Sequence, residues 1–423
     1  MASAHPHPRS SDLIYDWNRS EGPESPARPS VELNDETLRD GLQSPSAQSP
    51  SIDDKLRLLH LMADLGIEGV DIGLPAAGPR MEADVARLAR EISAARLPLL
   101  PSCAARTVRQ DIERIAEISQ RSGVSILADT FLGSSPIRQY TEDWDLDHLL
   151  RVTEDAVSYA VSLGLPVNYV TEDTTRARPE DLRRLYTTAV EAGARRVCVA
   201  DTVGHATPAG ARNLVRFVRQ VVDATGEEVA VDWHGHRDRG LGVANSLAAA
   251  EAGADRLHAT ALGIGERVGN TPMDMLLINF QLLGWIDRDL TRLPEYCQLV
   301  AEATGIPLPD NYPVVGRDAF RTGTGVHASA IVKARRKGDE WLADRVYSSV
   351  PASLVGRHQE IEVGPMSGDA NIVFWLEEHG LEADEELVAR IREHAKAALR
   401  VLEEDEIRTL CQRWKSSSAT AVG

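Results

Sequence analysis

The fold is indicated by the pattern in residues 197–236, VCVADTVGHATPAGARNLVRFVRQVVDATGEEVAVDWHGH. The stretch begins with an apolar run rich in valine, Val197–Asp201, and ends with a second such run, Val229–Trp233. Between them, Pro208–Ala224 carries apolar residues at the three- and four-residue spacing of an amphipathic helix that begins at a proline. A strand, a helix and a strand in this order predict one unit of a parallel sheet.

The same alternation extends from residue 31 to about residue 285. The candidate strands are Val31–Asn34, Gly69–Leu74, Leu97–Ser102, Val124–Thr130, Pro166–Val170, Val197–Asp201, Val229–Trp233 and Arg256–Ala261. The candidate helices between them are Ile52–Leu65, Met81–Ile92, Val108–Ser119, Leu146–Ser162, Pro179–Ala192, Pro208–Ala224 and Gly242–Ala252. Eight such units in about 250 residues predict an α/β protein with a (β/α)₈ TIM barrel. An open, doubly wound sheet is the alternative, which is weakened because no Gly-x-Gly-x-x-Gly follows the first strand.

Three segments are predicted along the chain. Residues 1–29, rich in Pro, Ser and His, predict a disordered amino-terminal arm. Residues 30–285 form the predicted catalytic barrel, and residues 286–423 a mostly helical extension. Its candidate helices are Leu290–Thr304, Ala370–Glu378 and Asp384–Glu403, with a Gly-rich segment at Gly316–His327.

Composition excludes some classes of partner. The 46 Lys and Arg residues against 64 Asp and Glu residues give a formal charge of −18, which argues against binding to nucleic acid or an anionic membrane. No apolar run reaches the roughly 18 residues of a membrane span, and Met1–Leu13 has no apolar core of a secretory signal. The four scattered cysteines, Cys103, Cys198, Cys297 and Cys411, favour a reduced, cytoplasmic protein.

Polar residues follow all eight candidate strands. Because catalytic residues of such barrels lie at the carboxyl ends of the strands, these positions predict the site. They are Arg39, Asp40, Gln43, Asp71, Ser102, Cys103, Arg106, Asp129, Thr171, Glu172, Asp173, Asp201, Thr202, His234, His236, Glu266, Arg267 and Asn270. One such residue is readily explained as a helix cap, but eight consecutive polar strand ends are not. Arg39, Arg106 and Arg267, together with a divalent ion, are expected to concentrate positive charge at the barrel mouth.

His234 and His236 predict a metal site. Residues at positions i and i+2 of a strand point the same way, so both imidazoles can bind one ion. Asp40 follows the first strand, which neighbours the eighth in a closed barrel. These three side chains form a ligand set with open positions, suited to Mn²⁺, Mg²⁺, Co²⁺ or Zn²⁺.

The motifs resemble those of a known family. Residues 36–43, ETLRDGLQ, are similar to the first-strand motif of the DRE-TIM metallolyases, and His234–His236 with Ala244–Leu247 resembles that family's metal-binding strand. Gly263–Asn270 is similar to the GIGER-x-GN loop of its Claisen-condensing branch, the isopropylmalate, homocitrate and citramalate synthases. Thr324–His327 resembles the SGIH segment of the same branch.

This resemblance implies a reaction in which acetyl-CoA condenses with a 2-oxo acid, followed by thioester hydrolysis. It implies the divalent-metal ligands Asp40, His234, His236 and Asn270. It also implies the catalytic residues Arg39, Glu172 and His327, with His327 as a base that reaches the neighbouring subunit of a homodimer. The expected substrate-binding residues are Arg39, Gln43, Asp71, Asp129, Thr171 and Thr202.

The sequence departs from the family pattern where the oxo acid is recognised. Asn168 stands where homocitrate synthases usually have a basic residue, Asp129 where isopropylmalate synthases usually have His, and Asp71 where Glu is common. These changes favour an uncommon 2-oxo acid, small, acidic and related to oxaloacetate, phosphorus-bearing analogues included.

The family tyrosine expected after His327 is missing, and the possible substitutes are Trp341 and Tyr347.

Two alternatives stay open. One is a carbon–carbon lyase of the 3-hydroxy-3-methylglutaryl-CoA lyase type, which would carry a cysteine in the loop after strand eight; Leu262–Asn270 has none. The other is an inactive barrel with a binding role, which is expected to have lost ligands that this chain retains.

Overall fold

A closed barrel of eight parallel strands forms the centre of the computed structural model, which describes residues 13–18 and 29–421, with side chains as far as residue 416. The strands pair in chain order, and β8 closes the barrel on β1. They are β1 Glu32–Asp35, β2 Gly69–Asp71, β3 Leu100–Arg106, β4 Leu127–Gly133, β5 Val167–Glu172, β6 Arg196–Asp201, β7 Ala230–Gly235 and β8 Arg256–Ala259. The predicted (β/α)₈ barrel is confirmed.

Helices alternate with the strands and continue beyond them. Those of the barrel are α1 Ile52–Asp64, α2 Pro79–Ala94, α3 Arg109–Ser122, α4 Pro136–Glu142, α5 Leu146–Ser162, α6 Pro179–Glu191, α7 Pro208–Asp223, α8 Gly242–Glu251 and α9 Met273–Leu283. The later ones are α10 Leu293–Thr304, α11 Gly325–Arg336, α12 Glu340–Ala343, α13 Asp369–Glu378, α14 Glu385–Ala397 and α15 Glu404–Ala421. Short 3₁₀ turns span Gly41–Gln43, Pro75–Ala77, Thr174–Arg176, Ala261–Gly263, Arg317–Phe320 and Ala352–Val355.

Helix α7 shows why these sequences form the outer layer. The hydroxyl of Thr207 accepts a hydrogen bond from the backbone N–H of Gly210 at 3.3 Å, and Pro208 begins the first turn. The buried face carries Ala211, Val215, Val218, Val221 and Val222. Each valine removed from water there stabilises the fold by roughly 1.5–3 kcal/mol. The helix is therefore held against the barrel by its apolar face.

The chain beyond the barrel packs in three places. Helix α10, together with Phe320 and Val355, belongs to the same hydrophobic core as the barrel. Helices α13 to α15 enclose a second core around Leu376 and Ile391, and α11 contributes to a third with Phe374. A two-stranded pair, β9 Arg321–Thr322 and β10 Glu360–Ile361, lies in this extension. The three-segment division of the chain stays a prediction.

One predicted helix was wrong in length. Asp384–Glu403 was expected to be a single helix, but α14 ends at Ala397 and α15 begins at Glu404. Ala398 has extended backbone, with ψ 155°, and the backbone N–H of Leu402 donates to the carbonyl of Val363 at 2.8 Å. The break lets Leu402 enter the second core, where only 4% of it is exposed.

Most of the predicted arm, residues 1–29, lies outside the described residues. Within residues 13–18, the side chains of Leu13, Ile14, Tyr15 and Trp17 are exposed. All four cysteines are buried free thiols. Among the described residues, no helix combines the length and apolarity that crossing a membrane requires.

Candidate active site

A cavity of about 210 Å³ occupies the carboxyl-terminal mouth of the barrel. All eight strands, or the loops directly after them, supply its lining. The lining residues are Glu36, Arg39, Asp40, Gln43, Leu74, Ala104, Asp129, Phe131, Val170, Glu172, Cys198, Ala200, Thr202, His234, His236, His258, Glu266 and Arg267. Most of the residues that the sequence predicted for a site therefore come together.

Three of the predicted metal ligands converge at one side of this cavity. The Nε2 atoms of His234 and His236 lie 3.2 Å apart, and Asp40 Oδ2 lies 3.5 and 3.6 Å from them. Zinc–nitrogen and zinc–oxygen bonds of about 2.0–2.2 Å suit donor atoms at this spacing. Burial and the neighbouring His234 lower the pKa of His236 to about 4, which keeps its ring neutral. A neutral imidazole is the form that binds a metal.

Asn270 meets the same cluster with an unsatisfied oxygen. Its side-chain N–H donates to Asp40 Oδ1 at 3.0 Å and to the carbonyl of Ile264 at 3.2 Å. Its own Oδ1 is buried and has no hydrogen-bond partner among the described residues. Because an unpaired buried oxygen is costly, this atom fits the role of a cation ligand. Asp40, His234 and His236 thus fit a divalent ion in chemistry and in spacing, and Asn270 fits it in chemistry.

Gly265 makes room for this arrangement. A Cβ atom at this position would lie 2.2 Å from Asn270 Nδ2 and 3.0 Å from Asp40 Oδ1. The backbone φ of +148° also disfavours any other residue there. The glycine in the loop after β8 is therefore required by the close approach of the loop to both side chains.

Arg39 lies next to this cluster, and its guanidinium is hydrogen-bonded to three carboxylates. Its Nε donates to Asp71 Oδ2 at 2.7 Å and its Nη1 to Asp40 Oδ2 at 3.2 Å, while its Nη2 donates to Glu36. Asp71 is fully buried behind the guanidinium and does not line the cavity. Burial, reinforced by Asp129 against the opposing effect of Arg39, raises the pKa of Asp71 to about 8. The structure therefore places Asp71 where it holds Arg39.

Glu36 and His258 lie on the cavity floor and were missed by the sequence analysis. Glu36 Oε1 lies 2.6 Å from His258 Nδ1, and Glu36 Oε2 lies 3.1 Å from His234 Nδ1. His258 Nε2 contacts Asp232 Oδ2 at 3.0 Å. Although burial opposes the charge, Glu36 and Asp232 raise the pKa of His258 to about 10. The available signals were a Glu in the polar run directly after β1 and a His within β8.

Four other predicted residues also line the cavity: Gln43, Asp129, Glu172 and Thr202. Burial raises the pKa of Glu172, as suits an acid–base group, and burial likewise raises that of Asp129. Asp129 accepts a hydrogen bond from Asn168 Nδ2 at 2.8 Å. Thr202 Oγ1 accepts one from the backbone N–H of Asp173 at 2.8 Å.

Thr171 and Arg106, which were expected at the mouth, point elsewhere. Thr171 follows Val170 on β5, and since alternate residues of a strand face opposite ways, its hydroxyl meets Tyr186 OH at 2.6 Å in the helix layer. Arg106 is bound by Asp111 at 2.8 Å and does not line the cavity. Thr171 is therefore a packing residue, and the positive charge expected from Arg106 is absent from the cavity lining.

His327 lies in the first turn of α11, outside the cavity of its own chain. It is exposed, and its ring stacks on that of Tyr347 with centroids 4.0 Å apart and planes 24° from parallel. Val326 and Met366, each 72% exposed, lie in the same part of the chain. Of the two candidate substitutes for the missing tyrosine, Tyr347 is the one that contacts His327.

Fold and site together define a (β/α)₈ barrel with an aspartate–histidine cluster at its mouth. The family described as HMGL-like matches residues 30–300, and the chain belongs to that family. The resemblance predicted from the motifs is confirmed.

Curated relatives match along most of their length. The homocitrate synthase AksA of Methanopyrus kandleri is 35% identical over 377 residues, covering 87% of each chain. The 2-isopropylmalate synthase of Sulfolobus acidocaldarius is 31% identical, covering 89% of this chain and 93% of the relative. Among solved structures, the HMG-CoA lyase of Bacillus subtilis has a TM-score of 0.56 at 18% identity, covering 66% of this chain and 96% of the other. That likeness concerns the fold alone.

Proposed function

We propose that this protein is a metal-dependent acyltransferase that condenses acetyl-CoA with a 2-oxo acid and releases CoA and a 2-hydroxy acid. The observation that carries the proposal is the convergence of Asp40, His234 and His236 below Arg39 in the barrel mouth. The curated relatives that match most of this chain are named as synthases of this kind.

Asp40, His234, His236 and Asn270 would hold the metal. A divalent ion bound there, Mn²⁺, Mg²⁺, Co²⁺ or Zn²⁺, supplies Lewis-acid polarisation of the ketone. Arg39 adds a fixed positive charge beside the ketone oxygen, where negative charge develops as the new bond forms. Gln43 orients the acyl group, and Asp129 and Thr202 contact the oxo acid.

The chemistry requires one base and one acid–base group. His327 takes a proton from the methyl group of acetyl-CoA, and the carbon left with the electron pair forms a bond to the ketone carbon. The ketone oxygen then becomes an alkoxide and takes up a proton, for which Glu172 is the donor. Water adds to the thioester, its C–S bond breaks, and CoA leaves as the thiol.

His327 is supplied by a second subunit in this proposal. Its exposed position outside the cavity of its own chain leaves the site without that imidazole. The exposed apolar residues Val326, Tyr347 and Met366 give the surface around it the character of an interface. A homodimer with shared sites accounts for the exposure of His327 and for the apolar surface around it. We place this homodimer in the cytoplasm.

The proposed oxo acid is small and acidic, related to oxaloacetate or to a phosphorus-bearing analogue. A cavity of about 210 Å³ has limited room, which favours a short chain. Arg39 and Arg267 both line the cavity and suit a second anionic group.

A thiol-trapping assay tests the function directly. The protein, supplied with Mn²⁺, is mixed with acetyl-CoA and each of a panel of 2-oxo acids, among them oxaloacetate, 2-oxoglutarate, 2-oxoisovalerate and pyruvate. We expect metal-dependent release of free CoA with an acidic oxo acid and its loss with EDTA. If none of the oxo acids causes release of CoA, the proposal is refuted. Cleavage of a 3-hydroxyacyl-CoA instead would establish the lyase.

A further inference from the structure

A column of alternating charges runs through the barrel interior to the metal cluster. At its lower end, Arg196 Nη1 contacts Asp232 Oδ1 at 2.5 Å. Asp232 Oδ2 contacts His258 Nε2 at 3.0 Å, and His258 Nδ1 contacts Glu36 Oε1 at 2.6 Å. At its upper end, Glu36 Oε2 meets His234 Nδ1 at 3.1 Å. From Arg196 to Glu36, each side chain can carry a charge opposite to that of its neighbour. At the last contact, Glu36 accepts a proton from the ring of His234.

The two nitrogens of His258 determine its form. Each faces a carboxylate oxygen, and a carboxylate oxygen accepts hydrogen bonds, so both nitrogens must donate. His258 is therefore an imidazolium, only 3% exposed and held from both sides. Both nitrogens are therefore engaged by carboxylates, which leaves neither lone pair for a metal or a substrate.

Glu36 is where the column reaches the site. Its Oε2 accepts from His234 Nδ1, which leaves Nε2 of that ring as the lone-pair nitrogen directed at His236 and Asp40. A carboxylate on the remote nitrogen of a ligand histidine fixes the ring's tautomer and orientation. The same oxygen accepts from Arg39 Nη2, so Glu36 sets the position of a ligand and of the substrate-facing cation together.

We propose that His258 is a positioning residue, which holds Glu36 in the orientation that presents His234 to the metal and Arg39 to the substrate. The inference rests on the proposed metal site but not on the identity of the oxo acid. His236 provides a contrast, because its Nδ1 is buried without a hydrogen-bond partner among the described residues. Of the two ligand histidines, therefore, only His234 is oriented by a partner on its Nδ1 atom, and that partner is Glu36, which His258 contacts.

Binding of Co²⁺ to the purified full-length protein tests this role without reference to turnover. The dissociation constant is measured by titration, and the visible absorption of bound Co²⁺ reports its ligand geometry. We expect His258→Gln and Glu36→Gln each to weaken Co²⁺ binding about 10- to 100-fold and to change the spectrum. His60→Ala is the matched control, because His60 pairs with Glu91 at 3.0 Å on the outside of the barrel and should bind Co²⁺ as the unmodified protein does.

The double variant Glu36→Gln/His258→Gln separates positioning from general damage. If His258 acts through Glu36, the double variant binds Co²⁺ as Glu36→Gln alone does, since the second change removes nothing further. It also removes one buried positive and one buried negative charge together, so it is expected to fold even if His258→Gln does not. A further tenfold loss in the double variant, or unchanged Co²⁺ affinity and spectrum in His258→Gln, would overturn the inference. Failure of the unmodified protein to bind Co²⁺ would instead refute the metal site on which it rests.

Discussion

At the residue scale, the candidate metal site depends on the absence of a side chain at Gly265. A methyl group there would lie 2.2 Å from Asn270 Nδ2, so Gly265→Ala must displace Asn270, Asp40 or both. We expect the variant to stay folded and to bind Mn²⁺ or Co²⁺ at least tenfold more weakly, as measured by titration.

Gly78→Ala is the control for backbone strain. Gly78 has φ +144°, close to that of Gly265, but a Cβ there would meet nothing within 4 Å. Equal metal affinity in the two alanine variants would contradict the steric argument.

Thr171 and Thr202 were expected to contact substrate, and the structure separates them. Thr171 is buried among the helices with its hydroxyl on Tyr186, whereas Thr202 lines the cavity. Thr171→Val should lower the free energy of unfolding by about 1 kcal/mol and leave the KM for the oxo acid unchanged. Thr202→Val should raise that KM severalfold. Denaturant unfolding and steady-state kinetics on both variants check this, and a raised KM in Thr171→Val would show the assignment to be wrong.

At the scale of elements, Asp274 joins the loop after β8 to helix α9. Its Oδ1 accepts from the backbone N–H of Leu262 at 2.7 Å and its Oδ2 from Tyr312 OH at 3.0 Å. Burial raises the pKa of Asp274 from 3.8 to about 6. The folded protein therefore binds this proton more tightly than the unfolded chain does, and the associated stability is lost as pH rises from about 4 to about 6.

Asp274→Asn removes that titration. Relative to the variant, the unmodified protein should lose about 2 kcal/mol of unfolding free energy between pH 4 and pH 6.5, because each pKa unit corresponds to about 1.4 kcal/mol and part of the loss occurs below pH 4. Urea denaturation of both proteins across this range measures the difference. A pH-independent difference would mean that Asp274 is ionised throughout.

The order of strands and helices was readable from the sequence because it rests on apolar periodicity, which the barrel preserves in every unit. The grouping of polar strand ends followed from topology, since all parallel strands end at one mouth. The sequence did not predict the direction in which the side chain at each strand end points. Thr171 and Glu172 are adjacent, and a shift of one residue in register decides which of them faces the cavity.

Glu36 and His258 show a second limit of the same kind. They are more than 220 residues apart in sequence and become partners only because β8 closes the barrel on β1. Glu36 is one of several polar residues around the end of β1, and His258 lies in the short strand Arg256–Ala259, so neither position indicates the other. Only the closed barrel turns them into a pair.

At the scale of the whole molecule, the formal charge is −18, and the lining of the site also has more carboxylates than cationic side chains. The cavity lining holds five carboxylates, Glu36, Asp40, Asp129, Glu172 and Glu266, against two arginines, Arg39 and Arg267. Of the three arginines expected to concentrate positive charge at the mouth together with a divalent ion, Arg106 does not line the cavity. An anionic oxo acid needs further positive charge there, and in the proposed function a bound divalent ion provides it.

Because His327 does not line the cavity of its own chain, a shared site in the homodimer can be tested. If the base comes from a partner subunit, His234→Ala and His327→Ala are each inactive alone but complement each other in a mixed dimer. One site of that dimer then combines an intact His234 with an intact His327, and the other site lacks both.

Random mixing makes half of the dimers mixed, so about a quarter of the activity of the unmodified protein should return. The two variants, carrying different affinity tags, are co-expressed, purified through both tags in sequence and assayed for CoA release. After this selection every dimer is mixed, and the expected recovery rises to about half. Inactive mixed dimers would mean that His327 acts within its own chain, because only a base shared between subunits can restore a site that neither variant contains.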